Sequence, residues 1–195
     1  MITRLNHAVL YVRDALVHQR FYAEVLGFST VAAESAGGYV FMRAPGSDNH
    51  HDVAFFTVGP GASDSIAGRG SVGLYHVAWE VATLAELDEM RGQLEASDAL
   101  VGASDHGTNL SIYACDPDGL EFEVMWLVPS SDWGEAETEA LIRPLDLGAA
   151  MERFVHCNEA ILGLVEAGIA PLAAKLQRCF PGLGAAVAEK HAVGE

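Results

Sequence analysis

The sequence predicts an α+β fold in which two βαβββ units pair into a curved mixed sheet, followed by a C-terminal helical tail. Three observations carry this. The segment LNHAVLYV at 5–12 returns as LYHVAWEV at 74–81, with His7 and His76 at the matching place 69 positions apart. A Gly- and Ser-rich stretch, GPGASDSIAGRGS (59–71), separates the copies and reads as a linker or mobile loop. Late in the second copy, DPDG (116–119) forms a tight turn between two short apolar runs. Self-similarity at a fixed offset is the mark of an internal repeat.

The elements follow in order. Residues 5–12 are short, apolar and β-rich, which suits a strand. Asp14 is placed to cap a helix over Ala15–Leu26, where Val17, Phe21, Val25 and Leu26 recur at helical spacing and Gly27 suits the C′ position. Two strands are expected near 28–33 and 38–44. The run APGSDNH is a turn, and HDVAFFTV (51–58) closes the first unit. After the linker come a strand at 74–81, an amphipathic helix over Leu84–Leu94, a strand at 108–115, the DPDG turn and a closing strand at 120–126. The domain so defined covers 1–128, as units 1–58 and 72–128, and 129–195 is a mostly helical extension. There Asp146 caps a helix with an apolar face of Leu147, Met151, Phe154, Val155, Ile161, Leu162 and Val165. Gly168 and Pro171 interrupt it, a shorter helix runs to Phe180, and the end AAVAEKHAVGE is frayed. The apolar face packs on the parent domain or forms a subunit interface, so a homo-oligomer, dimer or higher, is expected.

Composition narrows the function. The chain has 195 residues, half of them hydrophobic, enough for one good core. Lys and Arg number 11 against 27 Asp and Glu, a formal charge of -16, which repels phosphate backbones and argues against nucleic acid. Cys115, Cys157 and Cys179 are odd in number and form no CxxC pair, which points to a reducing compartment. No signal peptide and no membrane span is read, so a cytoplasmic location is expected.

The repeat gives the histidines their interest. Alone, a His in an apolar strand is more often a satisfied core residue than a ligand. In LEFEV, Glu121 and Glu123 share one face and Phe122 and Val124 the other. Such a carboxylate could simply point outward. Pairing the two units would instead bring His7, His76 and Glu123 around one point, so the sheet would surround a metal site. Two His and one carboxylate form the facial set of a non-haem Fe(II) centre, which leaves positions for a substrate and O2. Zn²⁺ in the same ligands would act only as a Lewis acid.

LNHAVLYVRD…FYAEVLGF, then LYHVAWEV, then DPDG…E resembles the vicinal-oxygen-chelate superfamily over roughly residues 1–128. That superfamily includes glyoxalase I, fosfomycin- and bleomycin-resistance proteins and extradiol ring-cleavage dioxygenases. Further features resemble the extradiol branch, especially its short members. His51 stands in a His-Asp-x-Ala motif whose His is the acid/base. It lies 44 residues after His7 and 25 before His76. His106 in DHGTNLSIY matches a substrate-contacting His, Tyr113 precedes Glu123 by ten as the family Tyr does, and PLDLGAA (144–150) looks like the tail of short members. The resemblance implies Fe(II), with Mn(II) as the alternative, and cleavage of a catechol-type diol with O2. His51, His106 and Tyr113 would be catalytic.

Each residue also has a plainer reading: His51 beside His50 as a polar turn, His106 as a surface loop residue, Tyr113 as a half-buried strand aromatic. His18, on the exposed part of the first helix, and His156 are given no chemistry. Asp116, Asp118 and Gly119 are turn residues and Cys115 a small buried one. The chain departs from the larger extradiol enzymes in having one pair of units, a short His106–Tyr113 spacing and Leu120 where Asn is common. Two rivals remain: a glyoxalase- or epimerase-like lyase or isomerase on Zn²⁺, Ni²⁺ or Co²⁺, and a metal-free module binding a small molecule such as an antibiotic. The lyase takes a fourth ligand from the closing strand of the first unit, and VAFFTV offers no carboxylate there.

Overall fold

A computed structural model describes residues 1–68 and 70–154. The helix expected to run to Phe180, the tail, His156, Cys157 and Cys179 lie outside the described residues. The expected α+β repeat is present. The first repeat is β1 (Ala8–Val12), α1 (Ala15–Glu24), β2 (Ser29–Ala33), β3 (Tyr39–Arg43) and β4 (Val53–Thr57). The second is β5 (Val77–Val81), α2 (Leu84–Ala96), β6 (Leu100–Asp105), β7 (Asn109–Cys115) and β8 (Glu121–Leu127). A C-terminal helix, α3, spans Leu147–Arg153. Each repeat has its own four-stranded sheet, ordered β1-β4-β3-β2 and β5-β8-β7-β6. Two compact units cut across this order. One is Met1–Trp79, Glu89–Gly102 and Ile112–Val124, and the other is Glu80–Asp88, Ala103–Ser111 and the described residues from Met125 onward.

In the first unit, β1 runs parallel to β4 with Ala8 opposite Val53, and β4 and β2 run antiparallel to β3. Alternation sorts the side chains. Val12, Val40, Met42, Val53 and Phe55 are wholly buried or nearly so, and α1 packs on this sheet. Tyr22 of α1 stands edge-on to Phe28 and Phe55, at 5.3 and 4.8 Å between ring centres. Burial raises the Tyr22 hydroxyl far above its ordinary pKa. Asp14 caps α1 by accepting the Leu16 N–H at 2.8 Å and the Val17 N–H at 3.3 Å. Gly27, at φ +73°, closes the helix, and the Phe28 N–H reaches the Tyr22 carbonyl at 2.9 Å. The other face of this sheet is open: Val9 and Tyr11 are 56% and 76% exposed.

In the second unit, Thr83 and Glu86 form a reciprocal capping box at the start of α2, at 3.1 and 2.9 Å. Leu84 and Leu87 of that helix are fully buried. At the far end Trp126 packs on Phe154, 5.1 Å between ring centres, which docks α3 on β8. Asp146 caps α3 through the Ala149 N–H at 3.0 Å, as the sequence predicts.

The sequence gives no separate signal for β6. Its residues, LVGASD, are small and polar after the first two, so neighbour pairing rather than propensity makes them a strand. A second departure is His18, expected on an exposed helix face. It is 1% exposed, stacked near Phe55, with Nε2 3.2 Å from Asp116 and 3.9 Å from Asp118. Asp116 also accepts the Asp118 and Leu120 N–H groups, both at 2.9 Å, so the DPDG turn folds itself with one carboxylate oxygen and holds α1 with the other. Arg13 reinforces the contact: Asp118 accepts its backbone N–H at 2.6 Å and its guanidinium at 3.2 Å.

Burial disfavours a charged His18, but pairing with Asp116, the Asp14 carbonyl and the nearby acidic charges outweigh it and raise its pKa above 6.5. A raised folded pKa means stability that is full below about pH 6.5 and lost as pH rises through the folded value. Replacing His18 strands a buried carboxylate, so His18→Gln is expected to cost roughly 3–5 kcal/mol at pH 6 in urea unfolding. The gap from wild type should be smaller at pH 9. Equal gaps at both pH values would mean the imidazole charge contributes nothing.

Candidate metal site

Two of the three expected ligands meet. His76 stands one residue before β5, and its Nε2 lies 3.0 Å from Oε2 of Glu123 on β8. Glu123 is buried at 6% exposure, set there because Phe122 and Val124 take the core side of the strand. Two donors each about 2.1 Å from one ion at a right angle stand about 3.0 Å apart, so this pair fits two cis positions of a divalent metal. Glu121, on the same face, lies 3.7 Å from His76 Nδ1, beyond hydrogen-bond reach, and that nitrogen is buried without a hydrogen-bond partner. The Tyr113 ring on β7 stands 5.8 Å from the His76 ring.

His7 is elsewhere. It stands one residue before β1, exposed, with its ring 4.5 Å from that of His51. Among the described residues, no three His, Cys, Asp or Glu side chains gather closely enough to hold an ion. The expectation that pairing the repeats would bring His7 to His76 and Glu123 is therefore not met within one chain. The reason lies in the topology. β1 ends the first sheet beside β4 and β5 ends the second beside β8, so the two strands are not paired with each other. Both histidines also precede their strands rather than sitting within them.

The His7 side has its own support. Asp52 accepts from the Ala44 N–H at 2.8 Å, and from Ser47 Oγ and Asn49 Nδ2 at 2.7 Å each. Asn49 ties this turn to the N-terminal segment: it donates to the Asn6 carbonyl at 2.8 Å and accepts from Arg4 at 2.6 Å. Asn6 Oδ1 lies 2.8 Å from His7 Nδ1. His51 packs edge-on to Phe41 at 4.9 Å, and its Nδ1 is 3.0 Å from that of His50. His50 and His51 both precede β4, which begins only at Val53, so strand alternation does not set their directions. Burial, then the neighbouring His7 and His50, lower the His51 pKa, with Asp52 opposing. The sequence reading missed the Asn6–Asn49–Asp52 set. Its one visible signal was an Asn just before His7 and another just before the His50–His51 pair.

His106 lies in the other compact unit, on the turn between β6 and β7, where its Nδ1 is 2.7 Å from the Leu141 carbonyl. Gly107 beside it has φ +76°, and a Cβ there would meet Ala136 at 2.5 Å. Cys115 is free and half-buried.

The family model described as the Glyoxalase/Bleomycin resistance protein/Dioxygenase superfamily matches residues 4–124, and the chain belongs to that family. Its members are mostly metalloenzymes acting on small molecules, and many are dimers. A glyoxylase/bleomycin resistance protein/dioxygenase domain from Frankia sp. EAN1pec is 18% identical, with a TM-score of 0.56 over 67% of this chain and 96% of that one. A glyoxalase/dioxygenase from Nostoc punctiforme is 17% identical, with a TM-score of 0.52 over 64% and 90%. At these identities the likeness is one of fold. No curated protein matches the chain. No helix among the described residues is long and apolar enough to cross a membrane.

Burial opposes an ionised Asp52, but its three donors win and lower its pKa below 3.8. A lowered folded pKa gives stability that is present above pH 3.8 and lost as pH falls through the folded value. Asp52→Ala is expected to cost about 2–4 kcal/mol at pH 7, since hydrogen bonds to a charged acceptor are the stronger kind. In urea melts the gap between the two proteins should narrow as pH falls below about 3.8, and a gap unchanged across that range would count against an ionised Asp52.

Proposed function

We propose that this protein is an Fe(II)-dependent extradiol dioxygenase that opens a catechol-type aromatic diol with O2. Each metal is held by His76 and Glu123 of one copy and His7 of a second. The observation that carries the reading is the split itself: a pair of donors at ion-holding distance, His76 and the buried Glu123, beside one sheet-ending strand, and the third donor at the head of another. Both heads lead into strands that end their sheets, and such edges are normally covered. Apolar residues flank them exposed, Val9 and Tyr11 on one side and Leu74 and Tyr75 on the other. A two-fold pairing that sets β1 of each copy beside β5 of the other would cover both edges and make two equal sites.

Fe(II), when bound, would supply Lewis-acid binding of both diol oxygens and an open position for O2. The chain's own residues do the rest. His51, against His7, would take a proton from a diol hydroxyl and return one later. Tyr113, beside His76, would hydrogen-bond a substrate oxygen from the second sheet. His106, its ring fixed by the Leu141 carbonyl, is the remaining substrate-orienting residue of the proposal. The absence of a carboxylate in β4 favours this three-ligand arrangement over the four-ligand lyase one.

Anaerobic loading with Fe(II) followed by catechol should give O2 uptake and a yellow ring-opened product. Isomerase or lyase turnover with no O2 uptake would put the protein in another branch of the family. His7→Ala and Glu123→Ala should each lose iron, and co-expressing the two variants should restore iron that neither holds alone. No restoration would refute the shared site. His51→Ala should keep its iron and lose roughly 10²–10⁴-fold in turnover. Unchanged turnover would remove His51 from the mechanism.

A further inference from the structure

The open face of the first sheet carries more than ring cleavage needs. Tyr39, Phe41 and Phe56 form a continuous aromatic surface, with ring centres 5.4 to 6.0 Å apart, and Phe41 meets His51 at 4.9 Å. Val40 and Met42 are wholly buried, so alternation puts Tyr39, Phe41 and Arg43 together on the opposite face of β3. At about 3.3 Å per residue, Arg43 stands about 6.6 Å along the strand from Phe41.

Arg43 is half-buried, its Nε is enclosed without a hydrogen-bond partner, and no described carboxylate forms an ion pair with it. Of the other described arginines, Arg13, Arg91 and Arg143 each hold an acidic side chain, Arg4 donates to Asn49 and Arg153 lies over the Phe154 ring. What sets Arg43 apart among the described arginines is an enclosed Nε without a hydrogen-bond partner beside an aromatic surface. Partial burial of a guanidinium costs solvation that a ligand can return. A planar carboxylate returns it best, through two parallel N–H donors.

We propose that Arg43 binds the carboxylate of the substrate, so that the ring opened is that of an aryl diol carrying an anionic carboxylate, laid over Phe41 with its diol toward His51. This rests on the reading above that this face meets the substrate. It differs in kind from the metal site, because Arg43 would recognise the carboxylate whether or not a metal is present.

The test has two arms. Titration calorimetry of the metal-free protein uses 2-naphthoate and its neutral counterpart 2-naphthamide. Wild type should bind the naphthoate, and Arg43→Gln should weaken it about ten- to hundredfold while leaving naphthamide binding unchanged. Equal affinity of wild type for the two probes, equal loss of both in the variant, or no binding of naphthoate would each overturn the proposal. The second arm measures O2 uptake by the Fe(II)-loaded protein with 3,4-dihydroxybenzoate and with catechol. Arg43→Gln should raise KM for the first by a similar factor and leave KM for the second. A KM for both that is indifferent to Arg43 refutes the role of Arg43 while leaving the dioxygenase standing. Selective naphthoate binding with no O2 uptake from any diol does the reverse.

Discussion

A strand that ends a sheet has one hydrogen-bonding edge with nothing on it, and this chain places a histidine at the head of each of two such strands. The consequences follow from alternation. His7 leads into β1, where Val9 and Tyr11 share its face and are exposed. His76 leads into β5 and meets Glu123 from the next strand at 3.0 Å. In the first sheet one face is committed to the core and the other is exposed at Val9 and Tyr11, whereas in the second the His76–Glu123 pair is largely enclosed. The proposed metal site, the proposed pairing of copies and the proposed substrate face all depend on those two edges being free.

The two faces differ in character. That of the first sheet is aromatic, with Tyr39, Phe41 and Phe56 in one surface and Phe41 against His51. That of the second is polar, with Glu121, Glu123 and Tyr113 around His76. An apolar ring and a set of polar oxygens would each find a suitable wall. The polar face depends on register, because a slip of one residue in β8 would send Glu123 into the core and Phe122 to the surface. Asp116 opposes such a slip. It fixes the turn before β8 through two backbone N–H groups and anchors it to His18 of α1.

Much of this was legible in the sequence, and the failures have physical causes. The repeat, the capped helices, the DPDG turn and the Glu121/Glu123 face follow from local spacing, which a single chain displays directly. The closeness of His76 and Glu123 followed from the repeat together with alternation. His18 was misjudged because helical periodicity finds faces but not what covers them, and its partner lies 98 positions away. β6 carried too little β-propensity to be seen. The Asn6–Asn49–Asp52 set escaped because polar side chains in a turn look alike until it is known which carbonyls and N–H groups need partners. His7 was expected to meet His76 and Glu123, and among the described residues its neighbours are instead Asn6 and His51. Sequence repeats reveal which strands are equivalent, and they do not reveal whether equivalent strands meet within a copy or between copies.

The central claim is that one copy holds only part of a metal site. Native mass spectrometry of the Fe(II)-loaded protein tests it most directly, because it reads copy number and metal number on the same particle. The account predicts two chains carrying two iron ions, with apo chains that hold no iron singly. An iron-loaded single chain would contradict it.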